Sequence, residues 1–319
     1  MVKTILSILL AVVFALVNVN FTDAQTYPIK TVRFIVGGSA GLSTDILARF
    51  FAAEYQKRLG QTFIVENKVG AGGDLGAEEV VKADPDGYTV LFGSASILFG
   101  NRWLYPRKFD QFKDLVSIIE VAGTPMTLLT GPELKGKSLQ EIIAMAKAAP
   151  EPWEFGVAST FCAVGYGLFS EATGIKFLLT RYKSNQQGFI ELAKGDIKLV
   201  FEAIPSAKAM IQSGKLTPVA VTCPERSPAL PDVPTMKELG VDMEIIGWNG
   251  IAGPSKMPSI AVEVLNRTGN EILKDPKTVQ KLHDMSSLVL GGTPEDMDRR
   301  IKTENEKWGR MIKKFNLKH

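Results

Sequence analysis

Residues 37 to 41, Gly37-Gly38-Ser39-Ala40-Gly41, spell the G-x-S-x-G of a nucleophile elbow, a strand-to-helix turn that presents a serine hydroxyl to a carbonyl. Such a serine needs a general base, a residue that orients the base, and N–H donors for the oxyanion. The chain supplies these poorly. Of its two histidines, His319 is the last residue, and His283 lies in Val279-Gln280-Lys281-Leu282-His283-Asp284, a helical run with charged neighbours, where a histidine is ordinarily a surface residue. Ser39 also follows the first strand after the leader segment, so no earlier loop can supply half of an oxyanion hole. The competing reading is a small-residue turn whose N–H groups and hydroxyls hold an anion without reacting with it.

Other chemistries are weaker still. The run Gly70-Ala71-Gly72-Gly73-Asp74-Leu75-Gly76 misses the G-x-G-x-x-G spacing because position 75 is Leu, and no P-loop pattern occurs. It reads as a tight turn that lets a helix and a strand pack closely. Two cysteines and two histidines make no metal cluster. No cofactor is therefore expected. The net charge of +3 is too balanced for a nucleic-acid partner, although it suits an anionic solute.

What remains is a set of small or hydroxyl-bearing turns, each placed between a strand and a helix and so offering free N–H groups to a carboxylate. The first holds Ser39, Ala40, Gly41, Leu42, Ser43, Thr44 and Asp45; the second Ser94 and Ser96; the third Ser159, Thr160, Phe161 and Cys162. A serine that merely caps its helix is the competing reading for each turn. Three such turns at one end of a two-lobed α/β protein favour a cleft.

The elements that must position these turns alternate along the chain. Residues 1–24 carry Lys3, an apolar run from Ile5 to Val17 and Thr22-Asp23-Ala24, the pattern of a secretory signal peptide cleaved after Ala24. The remaining 295 residues, 319 − 24, should be soluble and exported. Strands are expected at Thr31–Val36, Thr62–Glu66, Tyr88–Phe92, Met126–Leu129, Glu154–Ala158, Phe177–Tyr182, Ile197–Glu202, Thr217–Thr222 and Met243–Trp248. Between the first two, Ile46, Leu47, Phe50, Phe51, Tyr55 and Leu59 make one helical face, which Gly60 ends. Ser138-Leu139-Gln140-Glu141 is a capping box, and Thr293-Pro294-Glu295 starts the last helix. This order predicts mostly parallel sheets in two α/β lobes, with residues 25–126 and 222–319 forming lobe 1 and 127–221 inserted as lobe 2. Cys162 and Cys223 lie in an oxidising compartment on this reading, but their spacing alone does not establish a bridge.

Across essentially the whole mature chain the residues resemble the Bug-type periplasmic solute receptors of tripartite tricarboxylate transporters. The resemblance is carried by Tyr27-Pro28-Ile29-Lys30, Ser43-Thr44-Asp45, Val65-Glu66-Asn67-Lys68 before the glycine run, Asp84-Pro85-Asp86-Gly87-Tyr88-Thr89, Tyr182-Lys183, and Arg226-Ser227-Pro228-Ala229-Leu230-Pro231-Asp232-Val233-Pro234-Thr235. It implies a type II periplasmic binding protein fold, two lobes joined by crossing strands that close over a small carboxylate held by backbone groups and water. It also implies membrane transporter subunits as partners, and a monomer is expected. Where the family has P-F-x-P-G-G, this chain has Gly37-Gly38-Ser39-Ala40-Gly41-Leu42; its third loop is Thr160-Phe161-Cys162-Ala163-Val164, without the usual histidine; acidic positions of the second lobe appear as Lys198 and Glu202. Tyr182, Lys183 and Glu202 join the expected site, and the apolar loops suggest an aromatic or alkyl carboxylate over citrate. A serine hydrolase using Ser39 and a ligand sensor without a transport role are the alternatives.

Overall fold

The computed structural model describes residues 27–317; the signal-peptide reading, and His319 with it, fall outside them. Three parallel strands open the chain: β1 (Val32–Val36), β2 (Phe63–Asn67) and β3 (Thr89–Ser94), with β1 between the other two. They are linked by α1 (Ser43–Leu59) and α2 (Asp74–Lys82). The buried face of α1 is Leu47, Ala48, Phe51, Ala52 and Tyr55. Ile46, expected on that face, is exposed, because the helical repeat places it on the side opposite these five residues. Gly60 ends α1 in the left-handed conformation, as its position predicts.

Short helices α3 (Ala95–Leu98) and α4 (Gln111–Asp114) lead into β4 (Leu115–Thr130), sixteen residues long. The run read as a separate strand at Met126 is only its last third. Residues 139–221 then form α5 (Leu139–Ala148), β5 (Glu154–Val157), α6 (Thr160–Thr173), β6 (Leu178–Arg181), α7 (Asn185–Lys194), β7 (Leu199–Ala203), α8 (Ile204–Gln212) and β8 (Thr217–Val221). The chain returns through β9 (Ile246–Pro254), α9 (Ser259–Lys274), α10 (Pro276–Asp284), β10 (Leu288–Val289) and α11 (Pro294–Lys314). The expected capping box forms at Ser138 with Glu141, and Thr293 caps the last helix as expected, in a second box with Asp296.

The sheet order is β2-β1-β3-β9-β4-β7-β5-β6, with β8 and β10 also on β4. Strands carried by helices pair in parallel within each lobe, whereas β9 and β4, which run between the lobes, pair antiparallel. Along β4, Leu115–Pro125 pairs with β9 and Met126–Thr130 with β7. Thr222 holds the crossing point: its hydroxyl donates to Ile245 O at 2.6 Å and accepts from Met126 N at 3.1 Å, and its own N–H reaches Met126 O at 3.0 Å. Phe34, Phe51, Phe63 and Phe92 fill the core of the first lobe, and Phe155, Phe169, Phe177 and Phe201 that of the second.

Candidate functional site

The strand registers define where a ligand can sit. Ser94, the last residue of β3, pairs with Asn249 on β9, and Asn249 pairs with Ala122 on β4. Ala203, the last residue of β7, pairs with Met126 on the same β4. Because β3 runs with β4 and β7 against it, the carboxyl ends of the two lobes' strands point at each other across residues 122–126. At about 3.3 Å per residue those ends stand roughly 13 Å apart, room for a small molecule at the strand ends where open α/β sheets bind ligands. Gly247 and Trp248, opposite Thr124 and Gly123, complete the floor.

On the first lobe, the loop after β1 is exposed from Ser39 to Ser43. It is held from beneath. The buried Asp45 carboxylate accepts Gly41 N at 2.8 Å and Asn67 Nδ2 at 2.9 Å, and pairs with Arg49 at 3.0 Å. Burial works against its ionisation, yet these bonds outweigh it and hold the carboxyl below its usual range. The same Asn67 nitrogen donates to Gly38 O at 2.9 Å. Asp45 is thus a positioning residue under the loop rather than part of its exposed face. Thr44 bonds through its hydroxyl to Asn249 Oδ1 at 2.9 Å, which ties α1 to β9 beside Ser94. Ser94 and Ser96 are half-buried at the start of α3. The glycine run has the packing role read from its sequence: a Cβ on Gly37 would lie 2.5 Å from Gly73 O, so the turn presses directly on the strand end.

On the second lobe, Ser159 caps α6, its hydroxyl accepting Cys162 N at 3.2 Å, and lies 3.1 Å from Cys162 Sγ. Thr160 is half-buried beside it. Cys162, Ala163 and Val164 are buried, so the apolar character of this loop belongs to the core beneath α6. Burial, followed by the neighbouring Glu202, pushes the Cys162 thiol well above its ordinary value, and both Cys162 and Cys223 are free. Phe161 stacks on Trp308 of α11, ring centroids 6.0 Å apart, and its ring edge lies against Gly247 on the floor. Tyr182 packs on Gly156 and Gly188, while Lys183 is exposed. Glu202 is 5% exposed. Its carboxylate accepts Ala203 N at 2.8 Å and lies 3.9 Å from Cys162 Sγ, between the first turns of α8 and α6; burial pushes its pKa up to about 7.

Sequence reasoning missed Asn67 and Asn249. Asn67 stood in a recognised motif without a role, and Asn249 sits in a glycine-interrupted strand that the periodicity did not reveal. Among the described residues no group of three or more His, Cys, Asp and Glu could hold a metal, and no helix is long and apolar enough to cross a membrane. Cavities of about 320 and 410 Å³ lie elsewhere, the first beside Gln111 and Lys302, the second beside Tyr27 and Ile260.

Two α/β lobes crossed by long strands, with strand ends opposed over a common floor, define a type II periplasmic binding protein. Residues 47–317 match the family described as "Tripartite tricarboxylate transporter family receptor", and the chain belongs to that family. It is 31% identical to Protein BugT of Bordetella pertussis over 93% of this chain and 92% of that one. Among solved structures, Rpa4515 of R. palustris with adipate is 30% identical with a TM-score of 0.73, covering 90% of this chain and 97% of its own. MatC of Rhodopseudomonas palustris with bound malate is 25% identical with a TM-score of 0.68, covering 90% and 100%.

Proposed function

We propose that this chain is an exported receptor that takes a small organic acid into the gap at residues 122–126 and passes it to the membrane subunits of a tripartite tricarboxylate transporter. The observation that carries the reading is the register through β4, which turns the strand ends and helix N-termini of both lobes onto one gap. The acid's carboxylate meets the exposed Ser39–Ser43 segment, where the Ser39, Ala40 and Ser43 N–H groups and the Ser39 hydroxyl suit an anion, Gly41 N being held by Asp45 and Leu42 N by Ser39 O. Asn249 adds an amide at the floor. The adipate and malate bound by the two solved relatives support a carboxylate ligand here.

Leu42, 56% exposed on that segment, favours an acid with an apolar body, since apolar ligand surface removed from water contributes about 25 cal/mol per Å². Citrate is disfavoured: leaving its further carboxylates unpaired in a closed gap costs several kcal/mol. The receptor works without turnover. Ser39 is exposed on the β1–α1 loop, and His283 belongs to α10, which packs on α9 and β10.

Calorimetry and thermal shift with a panel of mono-, di- and tricarboxylates test this. A true ligand at 100 times its dissociation constant adds about 2.7 kcal/mol of stability, and a panel in which no acid binds rejects the reading. Hydrolysis of a chromogenic ester that disappears in Ser39→Ala would replace it with an esterase.

A further inference from the structure

Resting on the carboxylate-receptor reading, in which the first lobe takes the ligand's carboxylate, the geometry points to a role for Glu202 that we propose as follows: it makes the second lobe select a hydrogen-bond donor, admitting a second carboxylate only when a proton comes with it. Glu202 stands one residue before the end of β7, opposite Thr127 on β4, at the brink of the gap. It occupies the place between two helix N-termini where a ligand anion would otherwise bind. One oxygen is bonded to Ala203 N; the other faces Cys162. A cavity of about 10 Å³, room for a single water, lies beside it within the second lobe, lined by Ala158, Tyr182, Asn185 and Glu202.

No Lys, Arg or His nitrogen among the described residues lies within 4.0 Å of this carboxylate. Each element packed on it presents a neutral or hydroxyl group: Cys162 from α6, Ser206 from α8, Thr127 from β4, and Tyr182 across the cavity. Burial raises both Cys162 and Tyr182, so neither is charged at neutral pH. A negative charge held without a cation repels a second one and attracts a hydroxyl or ammonium hydrogen. With its titration near neutrality, Glu202 shares one proton with an incoming carboxylate at low pH and lacks it at high pH.

The test is calorimetry from pH 6 to 9 with adipate and 6-hydroxyhexanoate, on the full mature chain and on Glu202→Gln, whose amide keeps the shape. In the wild type the adipate dissociation constant should rise towards tenfold per pH unit above about 7, while that of 6-hydroxyhexanoate stays within threefold. Glu202→Gln should flatten the adipate profile and tighten adipate at pH 8.5 by tenfold or more. Equal adipate slopes in the two proteins, or a wild-type preference for adipate that does not change with pH, overturns the role given to Glu202 and leaves the carboxylate reading standing. Failure of both proteins to bind these acids and every C4–C8 homologue sinks the carboxylate reading itself, and the role of Glu202 with it.

Discussion

Asn67→Ala should uncouple the first-lobe loop from its support. The side chain makes three bonds: Nδ2 to Gly38 O and to Asp45 Oδ1, both 2.9 Å, and Oδ1 from Arg49 Nη2 at 3.0 Å. At about 1 kcal/mol net for each, with the bond to the half-exposed Arg49 discounted, truncation should remove roughly 2 kcal/mol of folding stability. The larger functional effect comes from entropy. If release of Gly38 and Asp45 frees two residues between Gly38 and Leu42, re-ordering them on binding costs about 2 kcal/mol, a roughly 30-fold loss of affinity. Urea denaturation and calorimetry with the best acid of the panel measure both. Affinity within twofold of wild type, with stability lowered, would show that the loop does not need its clamp to bind; no change in either would remove the clamp altogether.

Three further outcomes follow from the same geometry. Thr222→Val deletes the hydroxyl that serves Met126 N and Ile245 O at the crossing of the lobes, and should lower unfolding free energy by about 1–3 kcal/mol, since both backbone groups are left buried; denaturant titration showing under 0.5 kcal/mol would refute this. Ser39→Ala should weaken the bound acid by about 1 kcal/mol, the scale of one hydrogen bond, and leave ester hydrolysis at the background rate. Glu202 carries a folded pKa raised from 4.5 to about 7, so the folded state holds its proton more tightly than the unfolded chain, and its contribution is full below pH 4.5 and lost as pH rises through 7. Glu202→Gln should therefore gain on wild type by up to about 3 kcal/mol between pH 5 and pH 8, read by urea midpoints; a difference independent of pH would show that the group does not titrate in that window.

How far the sequence reached depends on whether the deciding interaction is local. Gly60, the capping box at Ser138, the N-cap Thr293 and Pro294 were legible because each signal acts within one turn of chain. β4 and β9 were not. Gly123 and Pro125 interrupt one, and Gly247, Gly250, Gly253 and Pro254 the other, all residues that strands disfavour. Packing requires them nonetheless: a Cβ on Gly250 would lie 2.9 Å from Met297 Cε and 3.0 Å from Ile119 O. Tertiary contact thus overrides propensity in the strands that join the lobes.

The site divides along the same line. Strand-end turns announce themselves by small and hydroxyl residues, but a side chain's task depends on partners that the sequence holds far away. Asp45 looked like a ligand contact until Asn67, 22 residues on, and Gly41 claimed its oxygens. Asn249 gained its place from Thr44, 205 residues earlier. Glu202 is the sharpest case, because an acid at the end of a strand is ordinarily solvated and ionised. Only its burial between α6 and α8, with no cation beside it among the described residues, moves its titration towards neutrality. The charge of the second lobe's wall is therefore a property of the fold, and the same glutamate in an open loop would give the gap a fixed negative edge at every physiological pH.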